Sequence, residues 1–326
     1  MSYIEHFGLN EAPFALTPDP RFWFESGTHK KAMSYLGYGL AQAEGFVVVT
    51  GEIGAGKTTL VGLLMERLDP ARVATVRLNM TQVEGEDLLR LVAQGFNLPV
   101  EDTAKAQLID RIERYLLDRA REGRKTLLIV DEAQGLPHSA LEELRMLSNF
   151  QSGGKALLQI LLLGQPEFRQ RLASPVLEQL RQRVIATHHL DGMTANEVHA
   201  YLDHRLSIAG AAERPSFDDA ACDALFAASA GIPRRINQLA TRALLLAALD
   251  NHDVVDGALV DKVVADQDAD QAVPDVAPVA VDQSARIAQL ETQLEAQEAA
   301  LRRVLTLMID WVERDAPTDF ARAQSA

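Results

Sequence analysis

Cysteine is nearly absent, since Cys222 is the single one in 326 residues. One thiol cannot build a disulfide framework within a chain, so the fold must rest on an apolar core, and the composition suits a reducing compartment. Long apolar runs are missing too. No stretch reaches the roughly 18–20 residues of a membrane-spanning helix, and the longest candidates, such as Leu157 to Leu163, have the length of buried strands. The opening Met1-Ser2-Tyr3-Ile4-Glu5-His6 shows no basic stretch followed by apolar residues, which predicts no secretory leader. Positive charge is short: 32 Lys and Arg stand against 46 Asp and Glu, for a net charge of −14. Such a chain repels nucleic acid unless basic residues cluster locally. Residues 266–326 hold five Arg and twelve Asp or Glu, so half of the excess lies there and the body is less acidic. These absences predict a cytoplasmic protein whose contact with a membrane runs through a partner.

Six sections of contrasting character make up the chain. Residues 1–27 are rich in proline and aromatics (Phe7, Pro13, Phe14, Pro18, Pro20, Phe22, Trp23, Phe24) and read as an irregular arm that lays its rings on a folded body. Residues 28–192 alternate helices with short apolar strands at Phe46–Thr50, Val73–Asn79, Thr126–Val130, Leu157–Leu163 and Val184–His188. Continuous apolar strands separated by helices predict an α/β domain with a parallel sheet covered on both faces. Strands stop at Thr194, and residues 193–265 read as a small all-α domain of four helices, in which Cys222 is an inert core residue. Residues 266–284 are acidic and rich in Ala, Val and Pro, as linkers are. Residues 285–313 carry a heptad pattern (Ile287, Leu290, Leu294, Gln297, Leu301, Val304, Met308, Trp311) that predicts a coiled-coil helix, and 314–326 read as a disordered tail. The coiled coil serves oligomerisation or docking on a partner helix, or packs back on its own body.

Chemistry concentrates in two motifs. Gly51-Glu52-Ile53-Gly54-Ala55-Gly56-Lys57-Thr58 fits G-x-x-x-x-G-K-[ST], follows a strand and opens a helix at Thr59. Its glycines let backbone N–H groups wrap round phosphates, and the helix N-terminus adds partial positive charge. Lys57 is expected on the β- and γ-phosphates and Thr58 on Mg²⁺. Leu127-Leu128-Ile129-Val130-Asp131-Glu132 ends an apolar strand on two carboxylates, at the sheet edge where ligands bind. Asp131 is expected to hold Mg²⁺ through water, and Glu132 to orient and deprotonate the attacking water. Gln165, after the next strand, is placed to position that water or sense the γ-phosphate. Asn79 is placed to restrain Glu132.

Four arginines bear on whether the site is shared. Arg181 and Arg183 precede the fifth strand, far from the chain's own phosphates, where either could act as an arginine finger toward a neighbouring subunit. Arg234 and Arg235 open a helix after Gly231-Ile232-Pro233, where an arginine could touch the same subunit's phosphate. Phe22, Trp23 and Phe24 either line an adenine pocket or simply pack. His188-His189 has no carboxylate or thiol cluster beside it in the sequence, so it reads as structural.

Together the phosphate loop, Asp131-Glu132-Ala133-Gln134, Gly164-Gln165-Pro166 and Gly231-Ile232-Pro233-Arg234 resemble an AAA+ ATPase. The branch resembled is the general secretion pathway A (ExeA-like) group, through Phe7-Gly8-Leu9, Pro13-Phe14, Leu16-Thr17-Pro18-Asp19-Pro20 and Leu144-Arg145-Met146-Leu147-Ser148-Asn149. Gly45 to Val61 and Gly153-Gly154-Lys155-Ala156-Leu157-Leu158-Gln159 are similar to the secretion ATPase of exosortase (PEP-CTERM) loci, which encode exopolysaccharide export and protein sorting in Gram-negative bacteria. The resemblance covers about residues 1–265. It implies ATP and Mg²⁺ as cofactors, an ATPase core with a helical lid, Arg234 as the lid arginine and Gln165 as first sensor. It further implies a homo-oligomeric ring or filament, a place at the inner membrane through a partner, and an envelope export or polysaccharide-synthesis protein as that partner. Secretion members of the group carry a membrane span and a periplasmic peptidoglycan-binding part. Neither pattern is found in these residues, so a role in opening the cell wall is not carried over.

Two other readings compete. One is a DNA-dependent ATPase switch resembling transposition helper proteins, for which Arg171, Arg181, Arg183, Arg205, Arg234 and Arg235 would supply the basic cluster. The other is a scaffold that binds nucleotide without turnover, against which Asp131 and Glu132 both stand intact.

Overall fold

A computed structural model describes residues 2–271, apart from 18, 43 and 80–82. Most of the expected linker, the heptad segment and the tail lie outside the described residues. Residues Met1–Asp266 form one compact unit.

Its order begins with helix α1 (Tyr3–Phe7) and a 3-10 turn at Pro20–Phe22, then α2 (Gly27–Gln42), β1 (Phe46–Gly51), α3 (Lys57–Arg67) and β2 (Val73–Asn79). Next come α4 (Gly85–Gly95), α5 (Lys105–Arg121), β3 (Lys125–Asp131), α6 (His138–Leu147), β4 (Gln151–Ser152), β5 (Lys155–Ala156) and β6 (Gln159–Gly164). α7 (Pro166–Leu172), α8 (Glu178–Arg181) and β7 (Val184–Leu190) complete the sheet region. α9 (Ala195–Ile208), β8 (Ser216–Phe217), α10 (Asp219–Ser229), α11 (Pro233–Leu249), β9 (Val254–Val255) and α12 (Gly257–Gln271) follow.

The five-stranded sheet runs β2-β3-β6-β1-β7, and all four pairings are parallel. Side chains alternate across it with the period of two that a strand imposes. Val48, Leu128, Ile160 and Leu162 enter one core with α4, α5 and α6. Val47, Val49, Leu127, Ile129, Leu161 and Leu163 enter the other, against α2 and α3. This two-sided burial is why the strands read as unbroken apolar runs.

A third core unites the N-terminal arm with the helices after Thr194. Phe7, Leu9, Phe14 and Phe22 pack with Val198, Leu202, Leu225, Ile236, Leu244 and Val260. Phe14 is 1% exposed, and burying such a ring is worth about 1.5–3 kcal/mol. The arm's rings therefore rest on the helical region. The arm is also less irregular than expected, because α1 is held by a capping box between Ser2 and Glu5. The strands likewise do not stop at Thr194, for β8 and β9 form a two-residue parallel pair. The fourth apolar run enters the sheet at Gln159, two residues later than expected, because Leu157 turns its N–H to Phe150 O and closes the β4–β5 hairpin.

Candidate nucleotide-binding site

β1 ends at Gly51 and delivers the chain into a loop that only glycine accommodates at two points. Gly54 has φ +88° and Gly56 has φ +95°. A Cβ at Gly56 would meet His29 Nε2 at 2.7 Å. Gly56 then starts α3, whose first N–H groups have no partner within the helix and point toward the loop. Lys57 is buried, and its ammonium donates to Gly51 O at 2.6 Å and Glu52 O at 2.9 Å. Two of its three N–H groups are thereby directed. Burial pushes Lys57 below the ordinary lysine range, while Glu132, Asp131, Glu52 and Glu167 oppose that shift. A desolvated cation beside free helix N–H groups suits a polyanion.

The carboxylates arrive on β3. Thr58 Oγ1 donates to Asp131 Oδ2 at 3.3 Å, joining the two residues expected to hold Mg²⁺. Asp131 Oδ1 accepts the Glu132 N–H at 3.0 Å. Glu132 itself takes φ +55°, the left-handed region, and turns the chain into a 3-10 turn at Ala133–Gly135. β6 lies beside β3, so Gln165 reaches across to Glu132, its Nε2 donating to Oε2 at 3.2 Å. Asn79 stands opposite Asp131 in the β2–β3 register and is exposed, while the side-chain hydrogen bonds of Glu132 go to Gln134 and Gln165.

Arg234 is brought to the loop by backbone geometry. Gly231 has φ +72°, and a Cβ there would sit 2.0 Å from Met193 O. Met193 N–H donates to Gly231 O at 2.8 Å. Pro233 starts α11, and the Arg234 N–H donates to Gly54 O at 3.3 Å. Glycine, proline and arginine in that order thus have separate physical reasons.

Glu132, Lys57, Thr58, Thr59, Ile53, Gly54, Gly56 and Arg234 line one cavity of about 330 Å³, together with Phe22, Trp23, Phe24 and Tyr201. The arm's aromatics both line the cavity and pack: Phe22 is 4% exposed within the third core. Among the backbone positions of the loop, Glu52 O also accepts from Ala55 N–H at 3.1 Å, which closes the turn. Arg181 and Arg183 lie elsewhere. Phe46 at the start of β1 pairs with Val184, and its N–H donates to Arg183 O at 2.9 Å. Six strand residues separate that edge from the loop, about 17–20 Å. Arg181 pairs with Glu178, and Arg183 Nη1 lies 3.5 Å from Ser148 Oγ.

Several contacts escaped the sequence. Arg77 on β2 donates to Asp131 Oδ2 at 2.7 Å, a cross-strand pairing visible only once the register is known. His29 buttresses the loop, with Nδ1 2.6 Å from Ser26 Oγ and Nε2 3.2 Å from Ala55 O. Burial holds its pKa below the ordinary histidine value. Gln134 contacts both Glu132 and Gln165. Two arginines of the expected basic cluster are engaged internally: Arg205 is 8% exposed, stacks on Phe22 and Tyr201, and donates to Pro13 O. Arg171 is engaged with Gln134 O at 3.0 Å. His188 and His189 contact Thr28 O and Thr50 Oγ1, and no group of three or more His, Cys, Asp or Glu gathers as a metal site among the described residues. Among those residues no helix is long and apolar enough to cross a membrane.

The parallel sheet with its phosphate loop and the helical region beyond it define a P-loop AAA+ fold. Residues 40–172 match the AAA domain family. Over 257 residues the chain is 40% identical to General secretion pathway protein A of Aeromonas hydrophila, covering 78% of this chain and 47% of that protein. It thus spans about half the length of that relative. Among solved structures, the Aeropyrum pernix ORC2 protein is similar at TM-score 0.55 and 20% identity, over 78% of this chain and 71% of that one. Cdc6p from Pyrobaculum aerophilum is similar at TM-score 0.57 and 14% identity, over 74% and 67%. The Aeropyrum pernix ORC1 protein, solved in complex with DNA, is similar at TM-score 0.55 and 18% identity, over 79% and 69%. At such identities the structures show the fold alone.

Proposed function

We propose that this chain binds ATP with Mg²⁺ and hydrolyses it, in an oligomer whose sites are completed by a neighbouring copy. The observation that carries the reading is convergence: Lys57 and Thr58 of α3, Glu132 after β3 and Arg234 of α11 line one cavity, although three separate elements deliver them. The residues fit a metal–nucleotide. Lys57 and the α3 N-terminus would take the phosphates, and Thr58 with Asp131 would hold the ion, as their 3.3 Å contact suits. When bound, Mg²⁺ neutralises charge on the phosphate oxygens. Glu132 then accepts a proton from the attacking water, Gln165 holds Glu132, and Arg234 ties the lid to the loop.

Arg181 or Arg183 serves the neighbour's phosphate, because both sit at the opposite sheet edge from their own. The fold divides at about residue 192 between nucleotide-binding domain and lid, with the arm belonging to the lid. Similarity to General secretion pathway protein A supports work on an envelope export system, at the inner membrane through a partner. The finer placement is with exosortase-associated exopolysaccharide export, and the 285–313 segment is the proposed contact with partner or copy.

ATP turnover with Glu132→Gln as control tests the catalytic reading. Tight ATP binding with no turnover under any concentration or partner would leave a nucleotide-gated scaffold. Likeness to a DNA-bound protein keeps a DNA-dependent switch as the alternative, but Arg205 and Arg171 are spent on internal contacts. Salt-dependent DNA binding in the presence of ATP would revive it.

A further inference from the structure

Glu132 is held more tightly than a strand-end carboxylate needs to be. Its left-handed backbone, φ +55°, is a conformation that costs about 1–3 kcal/mol and persists only where the surroundings impose it. The imposing element is the 3-10 turn Ala133–Gly135, closed by Gly135 N–H on Glu132 O at 2.9 Å. That turn folds Gln134 back over Glu132, two residues away.

Gln134 uses both ends of its amide. Its Nε2 donates to Glu132 Oε2 at 2.5 Å, and its Oε1 accepts the Gln165 N–H at 3.0 Å. Gln165 Nε2 donates to the same Glu132 oxygen at 3.2 Å. Arg171 Nη1 on α7 fixes the turn by donating to Gln134 O at 3.0 Å. Two amides therefore converge on Oε2, and Oε1 is the oxygen of Glu132 with no hydrogen bond among the described residues. Glu132 lines the cavity, whereas Gln134 does not contribute to its wall.

We propose that Gln134 is a positioning residue for Glu132: with Gln165 it immobilises Oε2, so that Oε1 alone is presented to the attacking water. The inference rests on the reading of Glu132 as general base. Because the side chain of Gln134 contacts Glu132 and Gln165 and no residue of the phosphate loop, its removal is expected to act on turnover and leave binding alone. A misplaced catalytic group loses about 10–100-fold in rate.

The test is Gln134→Met, which keeps length and loses the amide, with Gln134→Ala as a second variant. Single-turnover rate, KM, ATP affinity and thermal midpoint are measured in wild type, in each variant, and in each variant combined with Glu132→Gln. The expected result is a rate about 10–100-fold lower with KM and ATP affinity within about twofold of wild type. Combined with Glu132→Gln, the same change adds no further loss, because its effect runs through the missing carboxylate. Wild-type turnover in Gln134→Met, or an equal loss in both backgrounds, overturns the proposal. Loss of ATP affinity in step with rate also overturns it. A wild-type protein that binds ATP and never turns it over contradicts the base assignment instead, and the role of Gln134 falls with it.

Discussion

Arg234 stands on Gly54: its N–H reaches the glycine carbonyl at 3.3 Å, and its Cβ lies 2.3 Å from where a Cβ on Gly54 would be. The helical region is thereby seated directly on the phosphate loop through backbone contact. Gly54→Ala is expected to lower ATP affinity by about 10–100-fold, since a side chain at φ +88° is strained by about 1–3 kcal/mol and displaces Arg234 as well. Isothermal titration checks this. Unchanged affinity would mean that lid seating does not govern binding.

Lys57 is a buried cation whose partners are carbonyls. Replacing such a charge by an apolar side chain of similar size is often neutral or stabilising. Lys57→Met should therefore keep or raise the thermal midpoint without nucleotide, by up to about 2–4 °C for about 1 kcal/mol. It should also abolish the rise that ATP produces in wild type. Differential scanning fluorimetry with and without ATP separates the two effects.

Burial lowers the pKa of His29 and His188 from 6.5. Below pH 6.5 the unfolded chain then binds protons that the folded chain refuses. Stability must fall as pH drops from 6.5 through the folded values, by up to about 1.4 kcal/mol per unit for His29 and by less for the more exposed, solvent-screened His188. Glu197 and Asp19 are lowered from 4.5 and 3.8, so their loss comes at more acidic pH. His29→Gln should flatten the decline between pH 6.5 and 5, with His188 supplying the remainder. Urea midpoints across that range measure it.

At the opposite edge of the sheet, Arg181→Ala or Arg183→Ala should reduce turnover about 10³-fold while ATP affinity holds, if one of them stabilises charge on a neighbour's phosphate. Mixing either variant with Glu132→Gln should restore part of the activity, because each supplies what the other lacks. Full activity in both variants removes the shared site.

Much of this was legible in the residues because the chemistry is carried by backbone shape. Gly54, Gly56, Lys57 and Thr58 belong to a loop whose spacing is dictated by phosphate, and Asp131-Glu132 ends a strand whose apolar run marks its burial. Gln134 and Arg77 were not legible, since one depends on a left-handed turn at Glu132 and the other on β2–β3 register. The β4–β5 hairpin had a signal in Gly153-Gly154 between short segments, which is a two-residue turn composition. Ser2 and Glu5 likewise spelled a capping box, but a five-residue helix is too short to show periodicity. Arg205 looked like surface charge because sequence does not reveal that Phe22 and Tyr201 will enclose it.

Glu132 is proposed to act in an ATP-hydrolysing site shared between copies of this chain. The decisive measurement is ATP turnover per subunit against protein concentration, in wild type and Glu132→Gln. The expected rate climbs with concentration and falls in the variant to a small residual, readable in single turnover, while both bind ATP equally. A rate independent of concentration, or a wild-type rate in Glu132→Gln, is the contrary result.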